Sequence, residues 1–219
     1  AAQANMAQNA DGSPQGSAYE LMLAQLAAHR RTLKDIQSVE RKIEAKRGFL
    51  PDYDEWVNAA LAADTGAKDQ VLTSVLIWTI DAGLYSRALE LATYAVRHDL
   101  DLPDQYERSL GTALIDEFAQ AALANKLVGD EALQVLPAIR ELTDPLDAPD
   151  QARAKLYKAL GYALIGKVNS NDVDLEKVPL ENLQKAQPLL ERALALFDGV
   201  GVKKDIERID RHLKKKAGG

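Results

Sequence analysis

The chain has 219 residues, 47% apolar, 27% charged and only 5% aromatic, with a net charge of −6 and no cysteine. That length sustains a core without disulfides, and the lack of cysteine excludes disulfide frameworks, thiolate metal sites and cysteine nucleophiles. The longest apolar run, Val71 to Ile80, is interrupted by Thr73, Ser74 and Thr79 and falls short of the roughly 18 residues that span a bilayer. A soluble, intracellular, all-α protein with no membrane contact is expected.

Residues 1–17 are polar, hold Gly-Ser-Pro and show no apolar period, which predicts a disordered arm. From Tyr19 the apolar residues Met22, Leu26, Leu33, Ile36 and Ile43 recur at helical spacing, so residues 18–48 read as one long amphipathic helix closed by Gly48. Its 29 central residues would measure roughly 43 Å. The apolar set forms a seam for oligomerisation, exposed because the helix outruns its own small body. Arg30, Arg31, Lys34, Arg41, Lys42 and Lys46 fall on the opposite half.

Beyond the long helix, the Pro-Asp pairs at 51–52, 103–104 and 149–150 read as helix openers, with Pro in the first turn and an acid at the favourable dipole end. Helices are predicted at about 52–63, 67–82, 85–99, 104–125, 130–142, 150–166, 180–198 and 202–216. The run at 71–80 is rich in β-branched residues, yet helical sequence on both sides favours a buried helix over a strand. Ala82-Gly83, Tyr85, Ala88 and Ala95, and again Leu160-Gly161, Leu164, Ala186, Leu190 and Ala193, fit a tetratricopeptide-like register of small and large residues. Ordinary helical hairpins explain them equally well. The chain divides into an arm (1–17), the basic helix (18–48), a central helical body (49–146) and C-terminal tetratricopeptide-like helices with a basic end (147–219).

Charge is uneven. Residues 19–47 hold seven Lys and Arg against four acids, residues 203–219 hold seven against three, and the stretch between them carries −12. Two basic ends around an acidic body suit an anionic partner docking at the ends. Pairing of basic with acidic helices inside the fold or an oligomer accounts for the pattern equally well. The DNA-contact candidates are the six cations of the first helix, with Lys203 and Lys204 as a second set.

Catalytic signatures are sparse. His29, His98 and His212 lie far apart without metal-motif spacing and read as surface or interface residues. There is no nucleotide-binding GxxxxGK[ST] loop. Asp172, Asp174 and Glu176 miss the spacing of a calcium loop and read as a solvated loop. No catalytic residue, metal site or cofactor is expected.

Tyr19-Glu20-x-Met22-Leu23, Leu26-Ala27-Ala28, Arg31-Thr32-Leu33-Lys34-x-Ile36, Leu50-Pro51, Trp56-Val57-Asn58, Gly66-Ala67-x-Asp69, Trp78 and Ala88-Leu89-Glu90 form an ordered series. Arg153-Ala154-Lys155-Leu156-x-Lys158, Gly161 and Gly201-Val202-Lys203-Lys204-x-Ile206-Glu207-Arg208 continue it. Together they resemble the small terminase subunit family of temperate, contractile-tailed, cohesive-end phages, from about residue 18 to 216. The turn at 167–180 is longer than the family pattern, and the chain stops soon after Lys216, where relatives often carry a basic tail. The resemblance implies a non-catalytic DNA-packaging subunit that binds the cohesive-end site of concatemeric viral DNA and recruits and regulates the large ATPase and nuclease subunit. Endonuclease activity then belongs to the holoenzyme. It also implies a ring homo-oligomer acting in the host cell cytoplasm, on double-stranded phage DNA and the large subunit. The alternative is a helical protein–protein scaffold without direct DNA binding.

Overall fold

The computed structural model describes residues 12, 13, 15–103, 107–168 and 172–217. Among them are ten α-helices and three short 3₁₀ turns, with no strand. The chain forms two compact units, Ala1–Leu110 and Gly111–Gly219. Neither the division at 48 nor that at 146 coincides with this boundary. Most of the proposed arm, and Asp104 of the second Pro-Asp pair, lie outside the described residues. Gly12 is described, and its carbonyl accepts from the Lys68 N–H at 2.8 Å.

The first unit contains α1 (Ser17–Asp35), α2 (Val39–Phe49), a 3₁₀ turn (Leu50–Tyr53), α3 (Asp54–Ala63), α4 (Gln70–Asp81) and α5 (Tyr85–Arg97). Its centre is α4, in which every residue from Val71 to Ile80 is buried. A helix apolar all round belongs in the middle of a body, and tertiary burial overrides its β-branched composition. Its hydroxyls are satisfied within the helix: Thr73 Oγ1 donates to the Asp69 carbonyl at 3.2 Å, Ser74 Oγ to Gln70 at 2.5 Å and Thr79 Oγ1 to Val75 at 2.7 Å. The expected helix is therefore present.

The long N-terminal helix is not continuous. Ile36 adopts extended backbone (φ −84°, ψ 125°), and Ser38 caps a new helix by accepting from the Arg41 N–H at 3.4 Å. A serine in extended backbone is a favoured N-cap, and Glu40 stands where an unbroken seam needs an apolar residue. Gly48 lies inside α2 and does not terminate it. Pro51-Asp52 opens a 3₁₀ turn, and α3 starts after it.

The second unit holds nearly all of α6 (Leu110–Leu123), then α7 (Gly129–Thr143), α8 (Asp150–Ile165), α9 (Leu180–Leu196) and α10 (Lys203–Ala217). α6 begins later than the predicted 104. Its tightest packing is the antiparallel pair α8 and α9. A Cβ on Gly161 would meet Leu190 Cδ2 at 2.6 Å and Cγ at 2.8 Å, so the glycine permits the two helices to approach. Leu183, Ala186, Leu190, Ala193, Val202 and Ile209 complete this core. A buried ion pair ties α10 to the end of α8: Lys167 Nζ donates to Asp205 Oδ1 at 2.5 Å, and the Tyr162 hydroxyl donates to Asp205 Oδ2 at 2.7 Å. No described helix is long and apolar enough to cross a membrane.

Candidate nucleic-acid interface

The helix pair α1 and α2 runs along α4. At one end the Tyr19 hydroxyl accepts from the Gln70 N–H at 3.3 Å. In the middle Arg30 NH2 donates to Ser74 Oγ at 2.7 Å. At the other end Lys46 Nζ meets Asp81 Oδ2 at 2.5 Å and Arg47 Nε donates to the Ala82 carbonyl at 2.8 Å. The break at 36–38 lets both halves lie on the same central helix.

That geometry sorts the basic residues into two groups. Arg30 and Lys46 are half-buried and bonded to α4, where they hold the fold. Arg31 and Lys34 on α1 and Arg41 on α2 are exposed, and Lys42 is partly so. Of the second set, Lys203 pairs with Asp198 at 2.6 Å, while Lys204 is exposed on α10.

The expected exposed seam is largely a core face. Leu26 and Leu33 are only 1% and 8% exposed within the chain itself, and Met22, Ile36 and Ile43 are half-buried. A shorter, broken helix is covered by its own body after all. The large apolar side chains that this pair does present are Leu21 and Val39, 67% and 69% exposed. Neither belongs to the periodic stripe, which is why spacing passes over them.

The histidines are covered more than a surface reading allows. His29 stacks on Phe49 with ring centroids 3.8 Å apart and bonds the Tyr53 hydroxyl at 2.8 Å. His98 Nε2 lies 2.7 Å from Asp64 Oδ1, and His212 Nδ1 lies 3.8 Å from Glu176. Asp64 is held below the usual carboxylate range, first by the His98 hydrogen bond and further by Arg97. Among the described residues no three His, Asp or Glu side chains gather as metal ligands would. The insertion's acids instead face cations: Asp172 meets Arg208, Asp174 meets Lys177, and Glu176 meets Lys215 and Lys216. They remain exposed, as a solvated loop implies, but each is paired with a cation.

Several residues of the ordered series prove to be fold-determining. Trp56, stacked on Tyr19 at 5.6 Å, bonds Asp69, the N-cap of α4. Arg153 donates to the Thr143 and Leu146 carbonyls and so fastens the turn between α7 and α8. Such bonds fix this particular fold. A profile described as phage small terminase subunit matches residues 23–151. The terminase endonuclease subunit of Escherichia phage P2 is 39% identical over 199 residues, covering 90% of this chain and 75% of that protein. The chain belongs to the phage small terminase subunit family. No solved structure matches it. The basic helix pair and its broken seam are thus features of a small terminase subunit, and the family's role is DNA packaging.

Proposed function

We propose that this small terminase subunit is the DNA-recognition component of the packaging machine. It binds the cohesive-end site of concatemeric phage DNA in the host cytoplasm, assembles with copies of itself in a ring, and recruits and regulates the large ATPase and nuclease subunit. The observation that carries this reading is the exposure of Arg31, Lys34 and Arg41 on one helix pair in a chain of this family.

We further infer that the chain alone does not cut DNA, although its P2 relative bears the name of an endonuclease subunit. The acids the sequence offers for a hard cation are each engaged by lysine or arginine. Incubation of the purified chain with cohesive-end DNA and Mg²⁺ is expected to leave the DNA intact. Cleavage abolished by replacing one of the chain's own acids would overturn the assignment.

Titration of cohesive-end DNA at several salt concentrations tests recognition, because each phosphate neutralised steepens the log–log salt slope by about 0.9. Native mass spectrometry reads the ring in the same sample. A second reading, a protein–protein scaffold, is favoured by an apolar groove of about 440 Å³ whose walls include Leu133, Pro137, Leu164, Pro188 and Leu189. Absence of salt-dependent DNA binding by an intact oligomer would select it.

A further inference from the structure

The segment between α8 and α9 lays its acids on α10. Asp172 Oδ1 accepts from Arg208 NH1 at 2.5 Å, and the Val173 carbonyl accepts from NH2 of the same guanidinium at 2.9 Å. Farther along the helix, Glu176 lies 2.8 Å from Lys216 Nζ and 3.3 Å from Lys215 Nζ. Between segment and helix is a cleft of about 360 Å³, whose helix side is Arg208, Arg211, His212 and Lys215. Arg211 uses Nε on the Glu207 carbonyl at 3.2 Å, and its terminal nitrogens make no ion pair among the described residues.

Lys204, Arg208, Arg211 and Lys215 are spaced by four, three and four residues, so they share one face of α10 over roughly 16 Å. A row of cations of that length suits a ligand with repeated negative charge along a line. The carboxylates now on it are replaceable. The side chains of Asp172 and Glu176 are 81% and 50% exposed, and exposed ion pairs add little net stability. Leu175 and Val178, packed against the core, keep the segment attached when the acids let go.

We propose that this face of α10 is a second phosphate-binding surface for duplex DNA, and that Asp172 and Glu176 occupy it in the free protein as stand-ins for two phosphates. The inference rests on the DNA-binding reading above and adds to it a site and its internal competitor. Hydrogen bonds from Lys216 and then Lys215 hold the Glu176 carboxyl below its usual range, so the competitor stays charged at neutral pH.

The test is titration of a random-sequence duplex against the full chain and its Asp172→Asn/Glu176→Gln variant at several salt concentrations. The variant is expected to bind roughly fivefold tighter, with a salt slope steeper by about two units, roughly 0.9 for each of the two phosphates that take a carboxylate's place. Adding Arg211→Gln and Lys215→Gln should return its affinity to the wild-type level or below. Equal affinity and slope in wild type and variant would overturn the inference and leave the DNA-binding reading standing. Binding by the variant alone would support it, and binding by neither would overturn it, with the cohesive-end titration deciding the DNA-binding reading separately. Where the neutral pair loosens the fold, Arg211→Glu/Lys215→Glu in the otherwise unaltered chain carries the test: weaker binding supports the surface and unchanged binding overturns it.

Discussion

Trp56 donates its indole N–H to Asp69 Oδ2 at 2.7 Å, while Asp69 Oδ1 accepts from the N–H groups of Val71 and Leu72 at 2.8 and 3.1 Å. One buried carboxylate therefore caps the central helix and ties it to α3. Burial pushes the Asp69 carboxyl up, and the bonds from Trp56, Leu72 and Val71 pull it back. Asp69→Ala should remove the cap and leave the indole N–H unpaired, a loss of about 2 kcal/mol or more. Asp69→Asn, which keeps the acceptor, should lose less. Thermal or urea unfolding of the two variants decides the order.

Tyr53 is fully buried, and burial, then the nearby Asp52 carboxylate, pushes its phenol up to about 12 against the opposing pull of Arg30. The folded state thus holds this proton more tightly than the unfolded state, whose ordinary value is 10.0. Stability contributed by the group is complete below pH 10 and is lost as pH rises towards about 12. Tyr53→Phe should flatten that part of the stability–pH curve, measured as the difference between variant and wild type.

Leu33 and Leu21 sit on the same helix with opposite surroundings, 8% and 67% exposed. Leu33→Asp buries an unpaired charge and should unfold the first unit or cost it about 3 kcal/mol or more. Leu21→Asp should leave the fold and its melting unchanged while lowering the mass of any ring. Light scattering and circular dichroism on both variants separate core from interface, and a monomeric wild type would end the ring proposal.

Charge reversal at Arg31, Lys34 and Arg41 should weaken DNA binding several-fold per site and reduce the salt slope by about 0.9 for each phosphate that is no longer neutralised. Arg30→Ala and Lys46→Ala should act differently, lowering stability because their bonds to Ser74 and Asp81 hold α1 and α2 on α4. Undiminished affinity in the triple reversal, with the oligomer intact, would move the search to α10.

Gly161→Ala places a methyl 2.6 Å from Leu190 Cδ2, and Leu190 is fully buried. Overpacking of this kind costs about 1–3 kcal/mol. The loss should register as a lower melting point of the second unit.

Sequence determined the elements whose signals are local. Pro149 marks where α8 begins, the largely apolar run at 71–80 foretold the buried α4, and the ordered series of Tyr19, Trp56, Asp69 and Gly161 foretold the family. Each depends on neighbours a few residues away or on an order of residues that the chain itself displays. Periodicity also found the two faces of the first helix, yet it could not say what would cover them. That was decided by hydrogen bonds between residues 35 to 44 positions apart, Lys46 on Asp81 and Arg30 on Ser74, which turned two predicted DNA cations inward. The break at Ile36 followed the same logic: Ser38 is an ordinary N-cap, but bending there is favourable only because α4 offers each half a surface. Asp172 and Glu176 are solvent-facing as read, but their pairing stayed hidden for the same reason, since their partners on α10 lie 36 to 40 residues on. A face is a property of the helix, whereas exposure is a property of everything packed against it.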